Sequence, residues 1–556
     1  MSPATPPRVE ARRSRLVRPL AVLAALVTLV GLAAAPSSAA DGDVTVVVNS
    51  DGTATYTSHV ATALTVKRSA TEGGTEVDNF ALAGNATVSK PLGATTKCWA
   101  AYDVSTPVDG GCVVPAMAPN ATGTYYRLPD PTRFLDTRSG SGVPLGQGGT
   151  RSVQVGGVSG IPSTGVSAIV ANLTATKTST AGYMTLYPSG VSRPTASSLN
   201  FPSGWTGANL VTVPIGADGK VVVYNDTGSA HAILDVLGWY AADDTVRGAK
   251  GIGAQFQSTV SGDPERLYDS RDDEAGAYVD GDVFVWHDEW DTSADADAVE
   301  AYALNITAVG ATKAGVLSAW SGETEDPPNA SSVNYLPGVA APNMTVVPSG
   351  RQSTLETGFA IANATTGTGS VHIIVDQVGY YIKSNDGGFR FRPLSTPTRI
   401  LDTRTGKGLS GQFGPASART LNATSVTTPD SYYVVGNTTG VLPTLNTYLT
   451  IWSGENARPT ASNLNVTPKR TRAAGTIAPL KFTEGTGVLS FAIYNNAGKM
   501  HVLFDAAGTL ELVPPTLDTP PPLARTTGTQ REVATTTAPG SERFDTRPVR
   551  STSSRY

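Results

Sequence analysis

This sequence predicts an all-β protein built from three copies of one unit, and three observations carry that expectation. The stretch Pro131-Thr-Arg-Phe-Leu-Asp-Thr-Arg138 returns as Glu265-Arg-Leu-Tyr-Asp-Ser-Arg271 and as Pro397-Thr-Arg-Ile-Leu-Asp-Thr-Arg404. Its aspartate falls at 136, 269 and 402, a constant interval of 133 residues, and a fixed interval is the mark of a repeat architecture. Gly, Thr, Val, Ser and Asn dominate, and long Leu/Glu/Lys/Ala-rich segments are absent, which favours strands over helices. Each copy also divides into short apolar or alternating runs bounded by Gly, Pro, Asn and Asp.

In chain order, residues 1–40 read as a signal peptide. Arg12, Arg13, Arg15 and Arg18 precede an apolar run from Leu20 to Leu32, and Ser37-Ser-Ala-Ala40 supplies small residues for cleavage after Ala39 or Ala40. The Arg12-Arg13 pair lacks a clean twin-arginine motif around it, so ordinary secretion is favoured, and the apolar run is short for an uncleaved anchor. The expected location is extracellular, with cell-surface association left open, and the mature chain is expected to lack a transmembrane segment. Residues 41–124 read as a small β domain, with Val44–Val48 and Thr53–Thr57 flanking an Asn49-Ser-Asp-Gly52 turn, then Ala63–Lys67 and Ala86–Ser89. Cys98 and Cys112 are the chain's two cysteines. An exported protein meets oxidising conditions, so they are expected to form a disulfide, worth about 3 kcal/mol for so short a loop.

Repeats are expected at 125–243, 244–384 and 385–512. The first holds eight short strands. After the Asp136-Thr-Arg138 turn come Arg151–Val155, Ala168–Thr176, Gly182–Gly190, Ser198–Phe201, Ala208–Pro214, Lys220–Asn225 and His231–Tyr240. Repeat two carries the same landmarks. In repeat three the terminal Gly-Tyr-Tyr has become Gly508-Thr-Leu-Glu. Each repeat also reads as two similar halves, since Ala171–Thr176 with Gly182–Tyr187 resembles Ala208–Val213 with Gly219–Tyr224. Three repeats of two four-stranded halves make six sheets, the arithmetic of a six-bladed β-propeller; three tandem β-sandwiches are the alternative. Residues 513–556 are Pro/Thr-rich and expected to be disordered, with Arg543-Phe-Asp-Thr-Arg547 as a faint fourth copy.

Repeated positions nominate the candidate residues. Asp136, Asp269 and Asp402 each precede an arginine by two residues, at Arg138, Arg271 and Arg404. His231, His372 and His501 each precede an aspartate by four, at Asp235, Asp376 and Asp505. In a strand, i and i+4 share a face. A buried Asp there needs a partner, and Arg138 with its counterparts is the expected one. Recurrence in every unit favours a structural network over a threefold ligand site. Tyr187, Trp320 and Trp452 also correspond, beside small hydroxyl residues. Such a surface suits a sugar ring, and packing between sheets is the competing reading.

One stretch departs from the pattern. Asp269 to Glu300 holds twelve acidic residues and one basic, including Trp286-His-Asp-Glu-Trp290. A solvated acidic loop is the plain reading. Clustered carboxylates also suit Ca²⁺, although the spacing matches no EF-hand. Asp288 and Glu289 between Trp286 and Trp290 form a candidate glycosidase pair only if the segment is a loop, because neighbours in a strand face opposite ways. No other cofactor or metal is expected. The formal net charge is −5 and no basic stripe occurs outside the signal peptide, which argues against a nucleic-acid partner. No Gly-x-Ser-x-Gly, His-Glu-x-x-His or Gly-Lys phosphate motif is present, so an enzyme is the minority expectation.

Repeat one joins Pro-Thr-Arg-Phe-Leu-Asp-Thr-Arg, Asn-Leu-Thr-Ala-Thr, Gly-Tyr-Met-Thr-Leu-Tyr-Pro-Ser-Gly, Arg-Pro-Thr-Ala-Ser-Ser-Leu-Asn-Phe, Ala-Asn-Leu-Val-Thr-Val-Pro and Asp-Val-Leu-Gly-Trp-Tyr. This string resembles a repeat module of exported actinobacterial proteins, which occurs alone, in tandem or appended to secreted hydrolases. The resemblance covers residues 125–510 and weakens in repeat two. It implies a secreted or surface module that holds a polysaccharide or the cell envelope, and it assigns no catalytic residue; the expected partner is a polysaccharide, a cell-wall glycan or a surface protein. The expected function is non-enzymatic glycan or envelope binding. The alternatives are a structural or adhesive surface component and a propeller-type glycoside hydrolase.

Overall fold

A computed structural model describes residues 44–48, 53–69, 76, 78–91, 98–103, 106–112, 122–139, 142–243, 253–273, 276–290, 292–324, 326–383 and 388–513. The expected signal peptide, the expected 49–52 turn, and the tail with its 543–547 motif lie outside them. The described residues divide into two units, at 44–112 and 122–513. The described structure is all-β apart from the short helix Ser293–Ala298 and the turn Thr424–Val426. Among the described residues no helix is long and apolar enough to cross a membrane.

The first unit holds two antiparallel sheets. Val44–Val48, Thr53–Ser58 and Thr87–Pro91 make one; Asp78–Leu82, Leu64–Ser69, Cys98–Asp103 and Thr106–Cys112 make the other. The last two of these strands and Asp78–Leu82 escape the sequence reading. Their core is small, with Tyr56, Leu64, Val66, Phe80 and Leu82 at its centre. Arg68 pairs with Asp78 across neighbouring strands at its edge.

In the second unit repeat one has the expected number of eight strands, the seven ranged from the sequence together with Tyr125–Asp136, divided between two sheets. One sheet orders Gly207–Pro214, Val166–Thr176, His231–Ala241 and Tyr125–Asp136. The other orders Leu199–Phe201, Gly182–Pro188, Lys220–Asn225 and Thr150–Gln154. Each half-repeat therefore gives one long strand to either sheet instead of forming a sheet of its own. Ile169, Ala171 and Leu173 of the first sheet meet Met184, Leu186, Val221 and Val223 of the second in one apolar core. The opposite face of Val166–Thr176, with Ala168 and Val170, enters a second core. Burial on both faces explains why this strand reads as a continuous apolar run.

Repeats two and three follow the same plan. Their second sheets have five strands each. Their first sheets merge into one of ten strands, because Gln255–Ser258 pairs with both Ser370–Ile382 and Gly388–Asp402. No sheet among the described residues closes on itself. Single bridges link every pair of repeats, at Tyr125–Ala254, Phe256–Phe389 and Gly123–Phe391. A shared core draws on all three, including Tyr240, Tyr381, Phe391, Met344, Tyr433 and Leu510. Burying each such ring contributes roughly 2–3 kcal/mol.

The altered ending of repeat three has a physical explanation here. Tyr240 and Tyr381 lie opposite Ala168 and Ala301, and their hydroxyls bond to each other. Leu510 occupies the third such position opposite Tyr433. Tyr433 brings a third phenol into the same core from the opposite strand, so the repeat-three pair still holds one large ring. The large and small residues of the pair have exchanged strands.

Candidate functional site

The repeated aspartates build one network three times. Asp136 accepts the backbone N–H of Arg138 at 2.9 Å, and Asp269 and Asp402 accept those of Arg271 and Arg404 at 3.1 Å. Each arginine then folds back onto its own aspartate through Nε and Nη2. The hydrogen bonds from Arg138 hold the Asp136 carboxyl down at about 2, and those from Arg404 hold Asp402 below the usual carboxylate range.

The strand aspartates take a different arginine from the one expected. Arg133 Nε donates to Asp235 at 2.8 Å, Arg399 Nε donates to Asp505 at 2.7 Å, and Arg266 does the same for Asp376. The expected partners Arg138, Arg271 and Arg404 are occupied at the turn, two residues beyond their aspartates. The first arginine of each copy lies on the strand paired beside Asp235, Asp376 or Asp505 and has the shorter reach. Burial pushes the Asp235 and Asp376 carboxyls up, against the opposing pull of Arg133 and Arg266. The histidines stand apart from the aspartates. Nδ1 of His231, His372 and His501 lies 3.0 Å from the hydroxyl of Thr137, Ser270 and Thr403 respectively.

These networks sit where one repeat meets the next. Arg133 Nη2 donates to Asn329 O of repeat two at 3.2 Å, and Arg266 Nη2 donates to Thr460 O of repeat three at 3.3 Å. Asp505 of repeat three accepts the Ser197 N–H of repeat one at 3.3 Å. Asparagines deepen the same boundaries. Asn172, Asn305 and Asn437 donate to Ser331 O, Ser462 O and Ser197 O of the following repeat. The amide of Asn343 answers Asn172, and that of Asn209 answers Asn437. Counting back from the shared prolines 214, 348 and 479, the third position is Ala474. Accordingly Asn305 Oδ1 is buried without a partner.

The predicted sugar platform is a packing surface instead. Tyr187, Trp320, Trp452, Trp286 and Trp290 are between 2% and 8% exposed, which leaves no ring face for a sugar. Trp320 and Trp452 donate Nε1 to Thr324 O and Asn456 O.

The acidic stretch is likewise not a solvated loop. Val283–Glu289 is a strand and Ser293–Ala298 a short helix. Its carboxylates are used singly. Asp280 and Asp282 accept backbone N–H groups, Asp297 pairs with Arg351, and Glu300 accepts Arg127. Among the described residues no group of three or more potential ligands gathers as a Ca²⁺ or other metal site. Asp288 is buried and Glu289 exposed on the opposite face, so the two do not form a glycosidase pair.

Burial pushes the Asp288 carboxyl up to about 6 despite hydrogen bonds from Trp286 and Tyr302. The folded protein then binds this proton more tightly than the unfolded chain, where Asp titrates near ~4. The resulting stability is fully present below ~4 and is lost as pH rises through about 6. Asp288→Asn is therefore expected to match its parent at pH 4 and exceed it by roughly 2–3 kcal/mol at pH 7. Urea midpoints at the two pH values test this, and an equal gap at both would refute it.

A cleft of about 500 Å³ lies at the boundary of repeats three and one. Repeat one supplies Tyr183, Thr195, Ser197 and Asn200, and repeat three supplies Arg399, Arg404, Lys469 and Arg470. No carboxylate, histidine or cysteine is among its lining residues. Asp402 and Asp505 stand behind Arg404 and Arg399. Tyr183 is half-buried and steadied by Arg193 Nη1 at 3.3 Å, while the Arg193 guanidinium stacks over Tyr224 at 4.1 Å. The sequence reading picked out Arg404 but passed over Tyr183, Lys469, Arg470 and Arg399 as site residues. One signal was present: lysine at 469 stands where Pro337-Gly338 of repeat two and Ser203-Gly204 of repeat one carry glycine. Neither protein-family models nor curated proteins include a match to this chain.

Proposed function

We propose that the chain is a secreted, non-enzymatic repeat protein that binds a glycan or cell-envelope surface through the cleft between repeats three and one. The observation that carries this reading is the cleft's lining: hydroxyl, amide, phenol and guanidinium groups, with no acid–base pair among them. Such a wall satisfies the hydroxyl rim of a polysaccharide and offers nothing to cleave it. The likeness of residues 125–510 to modules of exported actinobacterial proteins supports the same reading.

The strand pairing favours three β-sandwiches arranged about a pseudo-threefold axis over a six-bladed propeller. Two sheets share each repeat's own core, and the chain passes repeatedly from one sheet to the other. Export is consistent with Cys98 and Cys112, whose Cα positions face each other across antiparallel strands, a register that suits a disulfide.

The test is retention of the purified full chain on insoluble polysaccharides and cell walls, beside a Tyr183→Ala, Asn200→Ala variant. The expected result is retention that falls at least tenfold in the variant with the circular dichroism spectrum unchanged. The protein secreted by its host is expected to show no free thiol before reduction. If no wall or polysaccharide retains the parent, the binding reading is wrong; if thiols are free, the disulfide is absent.

A further inference from the structure

We infer that the cleft selects an anionic polysaccharide, one bearing carboxylate or phosphodiester groups, and that Lys469 and Arg470 are the residues that read its charge. The inference rests on the binding reading above and names the ligand class for that site.

Four cationic side chains line the cleft and no acidic one does. Two are already matched: Arg399 by Asp505 and Asp402, and Arg404 by Asp402. Arg404 uses Nε and Nη2 on that carboxylate and is 45% exposed. Lys469 and Arg470 are exposed and enter no ion pair among the described residues. The wall therefore keeps about two uncompensated positive charges, beside a guanidinium whose position its aspartate fixes. That combination suits a carboxylate or phosphate better than a neutral hydroxyl rim. A cleft of one sign also concentrates counter-charged ligand.

The backbone supplies an independent observation. Lys469 has φ +59°, in the left-handed region that favours glycine. The matching turns of repeats one and two place Gly204 and Gly338 there, at φ +68° and +70°. Trp205 and Val339 follow those glycines where Arg470 follows Lys469. Repeat three thus holds a lysine in a conformation that costs it on the order of 1 kcal/mol, at the rim of the cleft, where glycine would serve the turn. Strain held at one copy of a repeated turn points to a role for the side chain.

The experiment measures binding of the full chain to polygalacturonate, to poly(glycerol phosphate), to neutral dextran and to single-stranded DNA of matched charge. It compares the parent with Lys469→Gly and with Lys469→Gly, Arg470→Ala. Expected is binding to one or both anionic polymers, weakened about tenfold in the double variant and less dependent on salt, with little binding to dextran. Lys469→Gly is expected to leave the urea midpoint unchanged or raise it, so lost binding is separable from lost folding. Preference for polygalacturonate assigns the ligand to uronates; preference for poly(glycerol phosphate) assigns it to phosphodiesters.

Retention by dextran alone would overturn the charge inference while leaving glycan binding intact. Unchanged affinity in the double variant would remove these residues from the site. Equal binding to DNA would show a non-selective polyanion surface and defeat the proposal. Binding to none of the polymers would defeat the inference and the underlying glycan reading together.

Discussion

Arg266→Ala is expected to destabilise the repeat unit by about 3–5 kcal/mol. Asp376 has a side chain only 1% exposed, and Arg266 is its sole ion-pair partner among the described residues. The same guanidinium reaches Asp269 at 2.9 Å and Thr460 O of repeat three. Truncation leaves a buried carboxylate unmatched and loosens the boundary to repeat three in the same step. Arg271→Ala is the contrast. Its side chain is 51% exposed and its only ion pair among the described residues is with Asp269, so the expected loss is about 1 kcal/mol or less. Urea unfolding of both variants measures the gap. Near-equal losses would mean that burial of Asp376 does not govern this network. A double Arg266→Met, Asp376→Leu variant is expected to recover most of the stability, because a volume-matched apolar pair has no charge to desolvate.

Asn343→Ala is expected to cost roughly 2–4 kcal/mol, from buried groups left without partners. The side chain is buried and ties repeat two to repeat one. Its amide donates to Asn172 Oδ1 at 3.1 Å and Ser332 O at 2.8 Å, and its oxygen accepts the Leu210 N–H at 3.1 Å. Repeat three tests the same logic, since Ala474 stands at the equivalent position. The boundary between repeats two and three therefore lacks this link, and other bonds serve there instead. Arg472 donates to Ala340 O and Pro342 O, and Asp263 accepts from Ser453 and Asn456. Asn305→Ala should then cost only about 1 kcal/mol, the worth of its single bond to Ser462 O. Equal losses at Asn172→Ala and Asn305→Ala would show that the asparagine pairing adds nothing.

Much of the architecture is legible in the chain itself. The interval between Asp136, Asp269 and Asp402 announces three units. Every strand of repeat one is marked by apolar runs and turn residues. The turn-capping role of those aspartates follows from side-chain chemistry acting over two residues. All of these are local signals, set by neighbours a few positions apart.

Tertiary structure alone decided the rest. Which arginine reaches Asp235 depends on the register of Tyr125–Asp136 against His231–Ala241, and no spacing encodes that register. The aromatic positions read as a sugar platform because alternation shows which residues share a face and not what covers it; Trp320 and Trp452 are covered. The division of half-repeats between two sheets depends on pairings between strands dozens of residues apart, where chain connectivity permits either topology. The cleft is the extreme case. Tyr183 and Lys469 are almost three hundred positions apart, and only the packing of repeat three against repeat one brings phenol and cation to a single wall. Local chemistry wrote the three units into the sequence, while the site belongs to the contact between them.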